Sequence, residues 1–276
     1  MTATRGETKG GLLSRRTLIA GAVGVAAGSA AGLALGYRLR TELRDLKLRL
    51  LASPQALPPE AGRFRQDAAA IEARHASQTV ETVAELKRRY EAPTFGRTSV
   101  WELVEKLARC IDPTDKRLFC ASQAVHWQQV VAAMEANGVD DPDMLLLGVI
   151  HDLGKVLLLQ GEAPENVVCG TELVAAGPEG AGLDQAVFQF GHGEYLYSRI
   201  VDQVPEHVAF VARFHNVAPQ RVRHLMNERE REWTDRYLIP FQDFDAKFCS
   251  PYYAPRVDFS RYRDLVESYF PKPILV

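Results

Sequence analysis

The chain has 276 residues, 46% of them hydrophobic and 25% charged, an ordinary globular composition with length enough for one sizeable core and one catalytic domain. Its net charge of −2 hides a split, because residues 1–50 carry nine Lys/Arg against three Asp/Glu while the remainder carries 24 against 32. An acidic body with no clustered basic face is poorly suited to neutralising phosphates, so a nucleic-acid partner is excluded and a small-molecule substrate, met by a monomer, is expected.

At the front, Ser14-Arg15-Arg16-Thr17-Leu18-Ile19 precedes a Gly/Ala-rich apolar run reaching about Gly36. A basic segment followed by an apolar one resembles a twin-arginine export signal. The same run is long enough for a permanent membrane anchor, and basic residues on its far side, Arg38, Arg40, Arg44 and Lys47, leave its orientation undecided. Residues 1–40 are therefore expected to contact export machinery or a membrane, with a cytoplasmic chain as the alternative. Leucines alternate with charges from Thr41 to about Leu51, and prolines between Ser53 and Pro59 break that pattern, which makes 41–61 a linker and 62–276 the catalytic domain.

Beyond Gly62 the apolar residues recur at helical spacing. Ser99 and Glu102 form a capping box before Val100, Trp101, Leu103, Val104 and Leu107. Further stripes cover about 122–136, 142–159, 183–203, 205–214, 219–240 and 259–269, and no run alternates with period two. The class is all-α. The four cysteines, Cys110, Cys120, Cys169 and Cys249, lie too far apart for a paired zinc or dithiol motif and read as reduced core thiols, with a disulfide as the alternative.

The sharpest chemical signal is His151-Asp152-Leu153-Gly154-Lys155, which ends the apolar stripe that starts near Pro142. Adjacent helical residues point about 100° apart, so a carboxylate that reaches round to share its neighbour's metal keeps a second oxygen free for another ion. His126 lies 25 positions upstream, His192 and His215 fall in later stripes, and Asp245 follows in Phe244-Asp245. Each stands among apolar neighbours, where an unpaired imidazole or carboxylate is costly to bury. Taken singly, His126 or His215 suits a satisfied core histidine. Taken together, four histidines and two aspartates suit two first-row metals, with iron favoured over structural zinc by the absence of thiolates, and manganese or zinc also admitted. His75, His207 and His224 stand among charges and are expected to be surface or helix-end residues.

The order His126, His151-Asp152-Leu153-Gly154-Lys155, Gly191-His192-x-Glu194-Tyr195, Arg213-Phe214-His215 and Phe244-Asp245 resembles the myo-inositol oxygenase family from about Arg63 to the C-terminus. The resemblance implies a single helical HD-domain-like bundle around a di-metal site. One iron would be held by His126, His151, Asp152 and Asp245, and a second by His192, His215 and the other oxygen of Asp152. It further implies a mixed-valent Fe(II)/Fe(III) pair, O2 as co-substrate, and cleavage of a polyol ring to a uronic acid. Lys155 matches the family's substrate lysine, its own alternative being a solvated lysine at the carboxyl end of its helix. Arg65 matches an N-terminal arginine that reaches substrate.

The chain departs from the family pattern mainly where substrate would be touched. Thr171 follows Gly170 where the family has aspartate, Asn216 stands where a serine follows the last histidine, and Cys249 replaces a lysine, with Lys247 nearby. A covering segment between about Ala175 and Leu183 is also some 30 residues shorter. Gly170, Thr171 and Asn216 are thus expected to touch a related polyol as well as, or instead of, inositol. Two other functions share the ligand types: an HD-type metal-dependent phosphohydrolase and a catalytically silent HD-like binding module.

Overall fold

The computed structural model describes residues 61–115, 118, 121–247, 255 and 259–276. The arginine-bearing apolar segment, the linker up to Glu60, and Cys120 and Cys249 lie outside the described residues, and Arg65 lies outside those whose side chains are described. No described helix is long and apolar enough to cross a membrane.

Helices dominate. In chain order they begin with α1 (Ala61–Ala76), α2 (Val80–Arg89), strand β1 (Arg97–Thr98) and α3 (Val100–Lys106). Both halves of the Ser99/Glu102 capping box are formed, so the N-terminal amide that has no intrahelical acceptor is satisfied as the sequence predicts. Then come α4 (Gln123–Ala136) and α5 (Pro142–Ile150), packed against each other. Asp141 caps α5 by accepting from the Asp143 N–H, and Pro142 occupies the first turn, where a missing N–H costs nothing. Leu146, Leu147, Val149 and Ile150 are all fully buried; apolar on every side, α5 is the central rod of the core.

The stripe expected over 142–159 does not continue as one α-helix. It ends at Ile150 and resumes as a 3-10 helix over Leu153–Gln160, closed by Gly161 at φ +79°, a left-handed conformation that glycine adopts without a Cβ clash. The stripe expected over 183–203 is also corrected. Its first part is a short 3-10 turn and a strand, β3 (Val187–Phe188), paired antiparallel with β2 (Leu173–Ala175), and only its second part is helical, α6 (His192–Ile200). Two-residue pairings leave no periodic trace, which is why no strand was expected. α7 (Glu206–Phe214) packs on α6. The long stripe over 219–240 is divided into α8 (Pro219–Val222), α9 (Glu228–Trp233), a π-helical turn over Thr234–Leu238, and α10 (Ile239–Lys247). α11 (Arg261–Tyr269) and β4 (Ile274–Leu275) complete the described chain, β4 pairing with β1. The all-α class holds, with two minimal two-stranded sheets added.

Candidate metal centre

Helix ends supply the centre. His151 follows the last residue of α5 and His215 the last residue of α7, each as the C-cap. The two imidazoles turn their Nδ1 atoms back onto their own helices, His151 to the Leu147 carbonyl at 3.2 Å and His215 to the Ala212 carbonyl at 2.9 Å. The Leu147 carbonyl accepts from the His151 backbone amide as well, at 3.0 Å, and in both histidines the side-chain contact fixes the tautomer. Nδ1 carries the proton and Nε2 keeps a lone pair facing inward. His192, the first residue of α6, is fixed in the same way by the Val167 and Val168 carbonyls at 2.8 and 3.2 Å. His126 sits in the first turn of α4, and Asp245 near the end of α10.

Two glycines permit the convergence. A Cβ at Gly154 would overlap the His192 carbonyl, and one at Gly193 would stand 2.6 Å from the Arg213 carbonyl. Only glycine lets the 3-10 helix, α6 and the end of α7 approach this closely.

The six side chains form two groups. Nε2 of His126 lies 3.1 Å from Nε2 of His151 and 2.9 Å from Oδ1 of Asp245; Nε2 of His192 lies 3.0 Å from Nε2 of His215. Between the groups stands Asp152. Its Oδ2 is 3.5 Å from both His126 and His151, and its Oδ1 is 3.1 Å from His192 and 3.8 Å from His215. All six residues are buried. Burial pushes His151 down to about 3, so it is a neutral imidazole at ordinary pH. Burial works to raise the Asp152 carboxyl, but the Lys155 ammonium and the imidazoles around it override that effect and hold it well below the usual carboxylate range. Asp245 is depressed against burial by its bond to His126. The result is a buried cluster of imidazole nitrogens around an ionised carboxylate, a set of donors suited to cations. Each set, His126/His151/Asp245 and Asp152/His192/His215, brings its ligand atoms close enough to hold a metal ion.

Lys155 is fully buried, so the solvated helix-end alternative is wrong: the 3-10 turn carries its side chain inward. Its Nζ meets Asp152 Oδ2 and Asp112 Oδ2 at 3.1 Å each, Gln123 Oε1 at 3.2 Å and Cys169 Sγ at 3.1 Å. Burial disfavours the ammonium, but the carboxylates, Asp152 foremost, hold its pKa well above the ordinary lysine value. Burial keeps Cys169 a thiol, and its Sγ points to Asp112 Oδ2 at 3.4 Å. Asp112 and Gln123 were missed in the sequence. The signal available was the turn Ile111-Asp112-Pro113-Thr114-Asp115, in which Asp112 Oδ1 accepts from the Thr114 amide at 2.8 Å and hydroxyl at 2.7 Å, leaving Oδ2 for Lys155. Gln123 is wholly buried, and its Nε2 has no protein partner.

Asn216 reaches the second pair, with Nδ2 2.8 Å from Nε2 of both His192 and His215. Its backbone carbonyl accepts from the Thr171 amide at 3.3 Å, so these two expected substrate residues adjoin. Gly170 has φ +94°, and its carbonyl meets His75 Nε2 at 2.9 Å. The expectation that His75 is a surface residue is corrected here. It is buried, because its two ring nitrogens meet the Gly170 carbonyl and, at 2.6 Å, the Glu165 carbonyl. His207 sits at the start of α7 against Asp143 at 2.8 Å, and His224 is exposed. Lys247 is exposed and pairs with Asp243 at 2.9 Å. Cys110 and Cys169 are free thiols.

A family model described as "Myo-inositol oxygenase" matches residues 66–178, which include His126, His151, Asp152 and Lys155. Over this part of its length the chain is similar to the myo-inositol oxygenase family. It is 28% identical to a probable inositol oxygenase of Oryza sativa subsp. japonica, over 71% of this chain and 76% of that protein. Inositol oxygenase 1 of Arabidopsis thaliana is also 28% identical, over 72% and 76%. Inositol oxygenase of Sus scrofa is 25% identical, over 71% and 83%. Inositol oxygenases are oxidoreductases, and these likenesses support an enzyme of that kind.

Proposed function

We propose that the chain is a di-iron oxygenase that uses O2 to cleave one carbon–carbon bond of myo-inositol or a related polyol, giving a uronic acid, D-glucuronate in the case of inositol. The observation that carries this reading is Asp152, whose two carboxylate oxygens face two different histidine pairs. His126, His151, Asp245 and Oδ2 of Asp152 would hold one iron; His192, His215 and Oδ1 of Asp152 the other. When bound, a mixed-valent Fe(II)/Fe(III) pair would supply activation of O2 and a Lewis-acid seat for a vicinal diol.

The chain's own groups then define what they do to the substrate. An ammonium has three protons, and Lys155 has four neighbours, so donation to a substrate hydroxyl requires one of them to yield. The weak contact to Cys169 Sγ is the one to give way, whereas Asp112 and Asp152 hold the charge in place. Held there, the ammonium stabilises an alkoxide next to Asp152 by charge and hydrogen bonding. The unpartnered Nε2 of Gln123 offers a second donor beside it. Thr171 and Gly170 would meet the distal hydroxyls, and the family resemblance alone adds Arg65 to them.

Anaerobically iron-loaded protein assayed in an oxygen electrode against a panel of polyols tests the reading. One O2 should be consumed per polyol cleaved, with myo-inositol showing a high KM or a related polyol preferred; losing distal hydrogen bonds at about 1 kcal/mol each weakens binding by roughly tenfold or more. Hydrolysis of phosphomonoesters without polyol-dependent O2 uptake would replace this function with that of a phosphohydrolase.

A further inference from the structure

We infer that Asn216 is a direct ligand of the second metal position, contributing its carboxamide oxygen beside His192 and His215. The inference rests on the two-metal reading above and adds a seventh side chain to the six already named. The carboxamide nitrogen stands 2.8 Å from Nε2 of both histidines at once. Those two nitrogens are themselves only 3.0 Å apart. Each imidazole has its Nδ1 proton engaged by a backbone carbonyl, so both Nε2 atoms are acceptors directed at one point. Without a cation, the partial positive charge of an amide NH2 is what the side chain can bring there.

A cation that takes those lone pairs reverses the demand. The NH2 would then face a positive charge, and a half-turn about the terminal torsion of Asn216 exchanges it for Oδ1 at the same location. Rotations about such sp3–sp2 bonds are broad and two-fold, so the exchange costs little. A carboxamide oxygen is a hard neutral donor suited to a divalent first-row ion. The backbone leaves the side chain at its post: the Asn216 carbonyl is tied to the Thr171 amide, and Gln242 Nε2 brackets the residue by donating to the carbonyls of His215 at 2.7 Å and Val217 at 2.8 Å. Asn216 is itself only half-buried, more open than the two histidines it meets. One coordination position that a diol would use is therefore taken, and a chelating substrate must displace the amide or bind through a single oxygen.

The test is metal binding and spectroscopy of the full chain, read without turnover. Metal-stripped protein is titrated anaerobically with Fe2+ against a chromophoric chelator, and the 57Fe-loaded protein is examined by Mössbauer spectroscopy. Wild type should bind two ions. Asn216→Ala should weaken the second step by about tenfold, within the range seen when groups around a metal are removed, and should shift one of two quadrupole doublets while leaving the other. Asn216→Asp, which presents an oxygen in either rotation, should hold the second ion at least as tightly as wild type. Asn216→Ser, too short to reach, should behave as the alanine variant does and serves in its place if that variant fails to keep its helical circular dichroism. Wild type binding two ions, with both steps and both doublets unchanged in the alanine or serine variant, would overturn the assignment of Asn216 alone. Wild type binding fewer than two would overturn it together with the two-metal reading.

Discussion

The two histidine pairs are built from the same atoms but supported differently. In the first pair, His151 is anchored to a carbonyl of its own helix and His126 meets a carboxylate, Asp245, brought in from α10. In the second, His215 is likewise anchored within its helix, but His192 depends on the carbonyls of Val167 and Val168, in a loop. That loop is braced from α1, where His75 holds the Glu165 and Gly170 carbonyls, and from Gln78, which exchanges hydrogen bonds with the Phe190 backbone at 2.7 and 3.1 Å. A helix keeps its own cap in register, whereas a loop transmits any slackness in its braces. Both pairs draw on contacts distant in sequence, but the first rests on helices alone and the second partly on a braced loop, which in the proposed reading suits a fixed ion on one side and an exchange site on the other.

The largest expected effect comes from removing what the pairs share. Asp152→Asn substitutes a neutral amide for the carboxylate that, among the described residues, faces both, and two-ion binding should collapse to at most one ion per chain by metal analysis, with O2 uptake lowered about 100-fold or more. Two irons retained at full occupancy would remove Asp152 from its bridging role. Next in size, Lys155→Ala should lower polyol-dependent O2 uptake about 100- to 1,000-fold, the range for deleting one donor aimed at developing negative charge, while both ions remain. Loss of the ions together with activity would mean that Lys155 supports the site rather than the substrate.

The smallest effect should separate the pairs. His75→Ala removes the one N–H that a neutral imidazole can donate to the buried Glu165 and Gly170 carbonyls, at a cost of about 1–3 kcal/mol in unfolding free energy, and should weaken the second ion more than the first in a chelator titration. Burial is the main reason that His75 titrates below its ordinary value, against the two carbonyl contacts. A depressed histidine binds its proton less readily when folded than when unfolded. Stability attributable to it is therefore complete above about pH 6.5 and falls as pH drops from there through the lower folded value. The alanine variant should lose that part of the slope, so wild type and variant melting temperatures should converge between pH 7.5 and 5.5. Parallel curves would show that His75 stays in one charge state over that range.

What was legible in the sequence follows the same division. The proposed ligand positions stood out because imidazoles and carboxylates were set in apolar helical stripes, where burial demands a partner. Helix α3 appeared where its capping box placed it, and α4 and α7 where their apolar spacing did. What was hidden arises from contacts without periodicity. Asp112 sits in a polar turn that reads as surface until Lys155 is carried inward against it. His75 looked exposed because its neighbours in sequence are charged, although its neighbours in space are carbonyls. The β2–β3 pairing is too short to alternate, and Asn216 read as a substituted substrate contact because nothing local shows that its amide reaches both imidazoles.

The π-helical turn over Thr234–Leu238 gives Asp245 a different kind of precision. The chain runs helically from Glu228 to Lys247, but the wider turn inserts extra arc between its α9 and α10 parts. Each residue along a helix advances the face by about 100°. The azimuth at which Asp245 meets His126 is accordingly a phase set seven or more residues earlier. Shortening the π turn by one residue would leave every ligand in the sequence and every helix nearly intact, yet swing the Asp245 carboxylate by roughly a quarter-turn or more around its axis, turning a complete set of donors into one that no longer converges.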